Sequence, residues 1–337
     1  MANPDPPAAE HSAAEPGLQA MARRLAAHPG LVGKRDIRLA ADALPHRPFP
    51  GLGDAAALGD DAALLPASAG PLLLAAEGIA PGLVEEDPWF AGWCAVLVNL
   101  SDIAAMGGRP LALVDSLWSR DAAHGEQLLA GLRAAAERFG VPLVGGHTNL
   151  QSPYNALSVA VLGTAAGPVL SARAARPGDR CLLLVNRQGR FRQPYPFWDA
   201  ATTAPATGLR RQLALLPRLA AAGCVHAAKD ISMGGLAGTA VMFAEAAGCG
   251  LALDVEAIVP PAGVDLEAWL GCFPSYGYLL AAPAQRLEEL AALVATEPDL
   301  HLAAIGRFEP DPGVRLHSAT AQAVLWPGNS TLTGFQA

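Results

Sequence analysis

Apolar positions recur at helical spacing in residues 17–30, "GLQAMARRLAAHPG", where Leu18, Met21 and Leu25 share a face and a Pro-Gly pair ends the run. "PLLLAAEGIA" (71–80) reads as a buried strand. "DPWFAGWCAVLVNLSDIAAMGG" (87–108) is apolar nearly all round, so it predicts a helix covered on most sides and stopped by Gly107 and Gly108. "LALVDSLW" (111–118) is the next strand, and "DAAHGEQLLAGLRAAAERFG" (121–140) is an amphipathic helix capped by Asp121 and ended by Gly140. "VPLVGGHTNL" and "NALSVAVLGTA" complete a β-α-β-α-β-β order with mixed connections.

The "RPGDR" turn (176–180) marks a boundary near 168–178. Beyond it the pattern predicts a strand at 181–186, an irregular stretch, and helices at 208–222 and 234–248. Strands at 250–256 and 276–282, a helix at 284–297 and a strand at 300–308 follow. The expectation is an α/β or α+β protein of two domains, 18–167 and 168–337, behind a disordered lead-in over 1–17.

Composition narrows the class. The 337 residues are 52% hydrophobic and 16% charged, enough for a large core in two units. No apolar run reaches the roughly 18 residues of a membrane span, and the N-terminus has no signal-peptide pattern. A net charge of −8 without a basic stripe argues against a nucleic-acid partner. Five scattered cysteines without a C-x-x-C pair suggest buried, reduced thiols and a cytoplasmic protein.

Candidate chemistry concentrates in four acidic segments: "GLGDAAALGDDAALLP" (51–66), "LLAAEGIA" (73–80), "NLSDIAAMGG" (99–108) and "AAKDISMGGL" (227–236). Asp60 and Asp61 precede a short apolar run, at the mouth of a strand, and Glu77 closes a buried one. Asn99 and Asp102 are three residues apart on one helix face, within reach of a common ligand. A buried aspartate without a partner is costly, and carboxylates from several elements suit a hard cation such as Mg²⁺. The plainer alternative is that Asp102 caps backbone or pairs with an arginine such as Arg109.

The ordered motifs "GDDAALLP", "VNLSDIAAMGGRP", "VGGHTN" and "KDISMGGL" resemble the aminoimidazole ribonucleotide (AIR) synthetase superfamily over about residues 50–310. That superfamily includes thiamine-monophosphate kinase, selenophosphate synthetase and a hydrogenase-maturation dehydratase. The resemblance implies an N-terminal α/β domain that dimerises into a central β-barrel, a C-terminal α/β domain, and ATP with Mg²⁺ at a cleft between subunits. Carried over by motif, Asp61, Asp102 and Asp230 match metal-binding aspartates and Ser232 a phosphate contact.

Departures from the family pattern are as informative. A Thr-Thr-Asp motif reads Ala75-Ala76-Glu77, Gly-Gly-Asp-Thr reads Gly145-Gly146-His147-Thr148, and Asp-x-Ser-Asp-Gly reads Asp230-Ile231-Ser232-Met233-Gly234. An arginine expected before the "PGD" turn stands one residue out of step, as Arg173. Imidazole is a poor Mg²⁺ ligand, so His147 reads as a phosphate contact or acid/base candidate, with a structural histidine as the plain alternative. The site should therefore hold fewer metal ions than its relatives.

The expected set is Asp60, Asp61, Glu77, Asp102 and Asp230 for metal, with Lys34, Asn99, His147, Asn149, Arg173 and Ser232 for nucleotide or phosphate. No catalytic residue beyond the candidate His147 is legible. "VGKRDI" (32–37) can form a basic flap over phosphates with Lys34 and Arg35, or present them as a surface-exposed pair. "RQGRFRQPYPFWD" (187–199) joins Arg187, Arg190 and Arg192 to Tyr195, Phe197 and Trp198, which suits an anionic planar substrate or a partner-facing loop.

These features point to an AIR-synthase-related branch with its own substrate: a homodimeric ATP/Mg²⁺-dependent enzyme, kinase or cyclo-ligase in type, that phosphorylates or activates a small metabolite. The alternative is a non-catalytic nucleotide- or small-molecule-binding subunit with a degenerate metal site.

Overall fold

The structure, a computed structural model, describes residues 16–36, 61–65 and 70–335. Helix α1 (Pro16–Ala26) begins within the expected lead-in and is followed by α2 (Pro29–Val32) and a 3-10 turn, Gly33–Asp36. Strands β1 (Ala63–Leu65) and β2 (Leu72–Gly78) come next, then helices α3 (Pro81–Glu86) and α4 (Pro88–Ala105). Strand β3 (Arg109–Trp118), helix α5 (Ala122–Phe139) and strands β4 (Leu143–Asn149) and β5 (Ala156–Thr164) complete this half. They form a mixed five-stranded sheet, β1-β2-β5-β3-β4, in which β3 and β4 are parallel.

Helix α4 starts where Asp87 accepts a hydrogen bond from the Phe90 amide (3.2 Å), with Pro88 in the first turn, where a missing N–H costs nothing. Fifteen of its residues are buried because the five-stranded sheet, α5 and the C-terminal half all pack on it. Two glycines allow α4 and α5 to touch: a Cβ on Gly92 would lie 2.1 Å from the Leu128 carbonyl oxygen, and one on Gly131 1.9 Å from that of Trp89.

The second half runs β6 (Arg180–Asn186), β7 (Arg190–Phe191), β8 (Phe197–Asp199), α6 (Ala206–Leu213), α7 (Leu215–Ala221), β9 (Ala227–Asp230) and α8 (Gly235–Ala247). Then come β10 (Gly250–Asp254), α9 (Leu266–Leu270), β11 (Phe273–Pro274), β12 (Gly277–Ala282), α10 (Leu287–Val294), β13 (Leu300–Glu309), β14 (Gly313–His317) and β15 (Gln322–Pro327). Seven of these strands form one sheet, β15-β14-β10-β13-β6-β12-β9, and β11-β8-β7 a smaller one. The run Cys181–Val185 is buried on both faces: Cys181, Leu183 and Val185 join the core under α8, while Leu182 and Leu184 join that under α7 and α10. The fold is mixed α/β, as the pattern predicts.

Two helices depart from expectation. The helix expected over 208–222 is split at Ala214, because Pro217 cannot donate to a carbonyl one turn back. That expected over 284–297 opens with a 3-10 turn, and its α-helical part covers only Leu287–Val294.

Candidate functional site

Asp102 enters the site because α4 is buried edge-on between the two halves and packs against β9, whose last residue is Asp230. Asp61 arrives from the segment just ahead of β1. Carboxylate oxygens of these three residues lie within 4.8 Å of one another. They face a cavity of about 360 Å³ that Glu77, Lys34 and Ser232 also line. Glu77 comes from the end of β2, and Ser232 from the turn between β9 and α8.

Lys34 is placed by its own short segment. Gly30 ahead of it packs so closely on the Met233 backbone that a Cβ would lie 2.0 Å from the Met233 carbonyl oxygen. Of the basic pair, Lys34 lines the cavity, whereas Arg35 lies over the Trp326 ring, 5.5 Å from its centroid.

Gathering four carboxylates has a clear electrostatic consequence. Burial, then the neighbouring charges of Asp230, Glu77 and Asp61, hold Asp102 well above the usual carboxylate range, against the pull of Lys229. Asp230 is pushed up to about 7, first by burial and then by Asp61, with Lys229 and Lys34 opposing. Burial also raises Glu77, offset chiefly by Lys34. The donor set is all oxygen and comes from three separate elements. It needs more positive charge than Lys34 and Lys229 provide, which is the chemistry a hard divalent cation fits.

Lys229 is the functional residue that sequence reasoning missed. Its ammonium pairs with Asp61 inside the cavity, and the residue is 7% exposed. The available signal was a lysine directly before Asp230 in a strand otherwise made of alanine, since a buried lysine is rarely without an acidic partner.

Several expected residues lie elsewhere. Asn99 is fully buried, spends its amide donor on the Ala95 carbonyl (2.8 Å) and does not line the cavity. Residues three apart on a helix share a face only loosely, and this side chain turns back along its own helix. His147 stands on β4, an exposed edge strand, with its ring 5.9 Å from that of Trp118. Asn149, at the end of the same strand, accepts from the Gln151 amide (2.9 Å). Arg173 sits in a 3-10 turn before β6 and does not line the cavity either. Asp60 lies outside the described residues.

The arginine-aromatic stretch is largely consumed in holding the halves together. Arg192 bonds Asp87 (2.8 Å) and stacks 3.9 Å over Phe90, and the Tyr195 hydroxyl donates to Glu86 (2.7 Å). Trp198 is buried, and of this stretch only Phe197 lines the cavity. All five cysteines are buried, and burial pushes the Cys94 thiol at the cavity wall up, so it stays protonated.

Residues 59–167 match the N-terminal domain of AIR synthase related protein, and residues 202–318 match its C-terminal domain. The chain belongs to the AIR synthase related family. The resemblance read from the motifs is thereby borne out. The uncharacterized protein sll0787 of Synechocystis sp. is 47% identical over 308 residues, spanning 91% of this chain and 95% of that one. Among solved structures, AaThiL complexed with AMPPCP and TMP has a TM-score of 0.59 at 23% identity, covering 77% of this chain and 87% of its own. T. maritima PurL complexed with ADP has a TM-score of 0.71 at 18% identity, covering 94% of this chain. This chain spans about half of that PurL, 51%. At these identities the two structures establish the shared fold. Among the described residues no helix is long and apolar enough to cross a membrane.

Proposed function

We propose that the protein binds ATP with Mg²⁺ at Asp61, Asp102 and Asp230 and phosphorylates or activates an oxygen on a small metabolite. The observation that carries this reading is the convergence of three carboxylates from separate segments within 4.8 Å, in a cavity whose lining, among the described residues, includes two lysines. The AaThiL structure complexed with AMPPCP and the PurL structure complexed with ADP support the nucleotide part.

When bound, Mg²⁺ would neutralise phosphate oxygens and polarise the transferred group. The three aspartates hold that charge in place. Lys34 and Ser232, which line the same cavity, are positioned to contact phosphate oxygens, and Lys229 pairs with Asp61. Met233 takes the position of a family carboxylate at the cavity mouth, which fits a reduced metal complement.

The protein works as a homodimer in this reading. Leu74, Val114 and Leu162 stand outward on the five-stranded sheet, 36–44% exposed, and Val144 on the adjoining edge strand is 63% exposed. A second copy covers that face, which brings His147 and Asn149 into the interface. Light scattering of the wild type and of Val114→Lys checks this: a dimer that the lysine dissociates is expected, and a wild-type monomer overturns it.

Calorimetric titration of ATP, with and without Mg²⁺, into wild type and Asp102→Asn tests the site. Mg²⁺-dependent binding lost in the variant is expected. A wild type that binds no ATP under either condition overturns the proposal and leaves a family fold put to another use.

A further inference from the structure

The cavity is chemically divided. Asp61, Asp102 and Asp230 meet with Lys229 and Lys34 as one charged group, while Leu83, Val98, Phe197 and Phe273 pack together as an apolar wall, and Met242 and Phe335 add further apolar lining. Phe335 reaches that wall because the segment Leu332–Phe335 is tied to α8 by one carboxylate. Glu245 accepts hydrogen bonds from the amides of Leu332 (2.8 Å), Thr333 (3.1 Å) and Gly334 (2.7 Å), and from the Thr333 hydroxyl (3.2 Å). The Thr333 hydroxyl in turn accepts from the Phe335 amide (3.3 Å), and Leu332 is fully buried beneath the loop. A carboxylate that accepts several backbone N–H bonds is a strong, charge-assisted anchor, so the segment is held as a wall.

We infer that this apolar part of the cavity is an acceptor compartment, walled by the clasped segment Leu332–Phe335. It takes a small molecule with a compact apolar or aromatic group next to the oxygen presented to the carboxylates. The cavity volume, about 360 Å³, lies at the small end of ligand pockets, roughly 300–1,000 Å³. Among the described residues, the cations lining the cavity, Lys34 and Lys229, stand with the aspartates, so an anionic group on the acceptor has its partner there. Phe335 is the specificity-determining contact and Glu245 its positioning residue. This inference rests on the phosphoryl-transfer reading for the direction in which the acceptor points, but its compartment is tested independently.

The probe is para-fluorobenzyl alcohol, followed by fluorine NMR line broadening against the full chain. Saturable broadening by wild type is expected, weakened about tenfold in Phe335→Ala and in Glu245→Ala, with partial recovery in Glu245→Gln, which keeps one acceptor oxygen. Amide hydrogen exchange of Leu332 to Gly334 reads the clasp itself and should quicken in Glu245→Ala while the rest of the chain keeps its protection. Wild type that does not broaden the probe, or variants that bind it as wild type does, overturn the inference. Asp102→Asn separates the two proposals: loss of Mg²⁺–ATP binding with probe binding kept supports both, and unchanged Mg²⁺–ATP binding sinks the metal site alone.

Discussion

Lys229 and Asp61 form an ion pair inside the cavity, tying strand β9 to the segment ahead of β1, with side chains 9% and 4% exposed. The pair does more than join two segments. Lys229 also draws down the proton affinity of Asp102, Asp230 and Glu77, so one cation tempers the whole acidic cluster.

Replacing that cation by a neutral side chain of similar length should therefore be costly. Lys229→Met removes the ammonium that pairs with the buried Asp61 carboxylate, a loss of about 3–5 kcal/mol for pairs of this kind. Urea unfolding at pH 8 should show the loss, and at pH 5 it should shrink, because protonated carboxylates no longer repel. Equal losses at both pH values would refute the electrostatic account.

The wild type has its own pH signature. Asp230 titrates near 7 in the folded protein against about 4 unfolded, so between those values the folded state binds more protons. Stability of the metal-free protein falls as pH rises through that window, and this contribution is flat above it. Mg²⁺ binds the deprotonated carboxylates, so it should raise Tm more at pH 8 than at pH 5. Thermal melts with and without Mg²⁺ check both signs, and an equal Mg²⁺ effect at the two pH values would count against metal on this cluster.

The helix crossing gives a purely steric prediction. At Gly131 a methyl group has no room beside the Trp89 carbonyl, which is backbone and cannot rotate away. Gly131→Ala should lower stability by about 2–3 kcal/mol despite the better helix propensity of alanine. Denaturant unfolding measures this, and a gain in stability would show that α4 and α5 are less tightly packed.

Arg192 offers a milder test of how the halves are joined. Its guanidinium meets Asp87, which also caps α4, and covers the Phe90 ring. Arg192→Gln should cost about 1–2 kcal/mol, since the pair is partly solvated and the stacking is lost with it. A double-mutant cycle in urea, with Arg192→Gln, Phe90→Leu and the double variant, isolates the stacking share; no coupling would dismiss it.

Much of the local structure is legible in the residues alone. Asp121 marks a helix start through its side-chain oxygen and caps as expected, and Asp87 caps α4 in the same way. The continuous apolar run of α4 announces a helix covered on most sides, and that of β6 a buried strand. The acidic segments announce a charged site, because a carboxylate in an apolar run needs compensation. These signals act over a single turn or a strand period, so the chain reports them without knowledge of its fold.

Which of those groups meet was decided by tertiary structure alone. Asp61, Asp102 and Asp230 converge because α4 packs across β9, the edge strand of the second sheet, while Asn99, one turn before Asp102, stays sealed inside its own helix. Lys229, the Glu245 clasp and the apolar walls around Phe197 and Phe335 depend on contacts between residues far apart in the chain. Neither periodicity nor capping carries information about such pairings. They follow from how two sheets and the helices between them bury their remaining apolar faces.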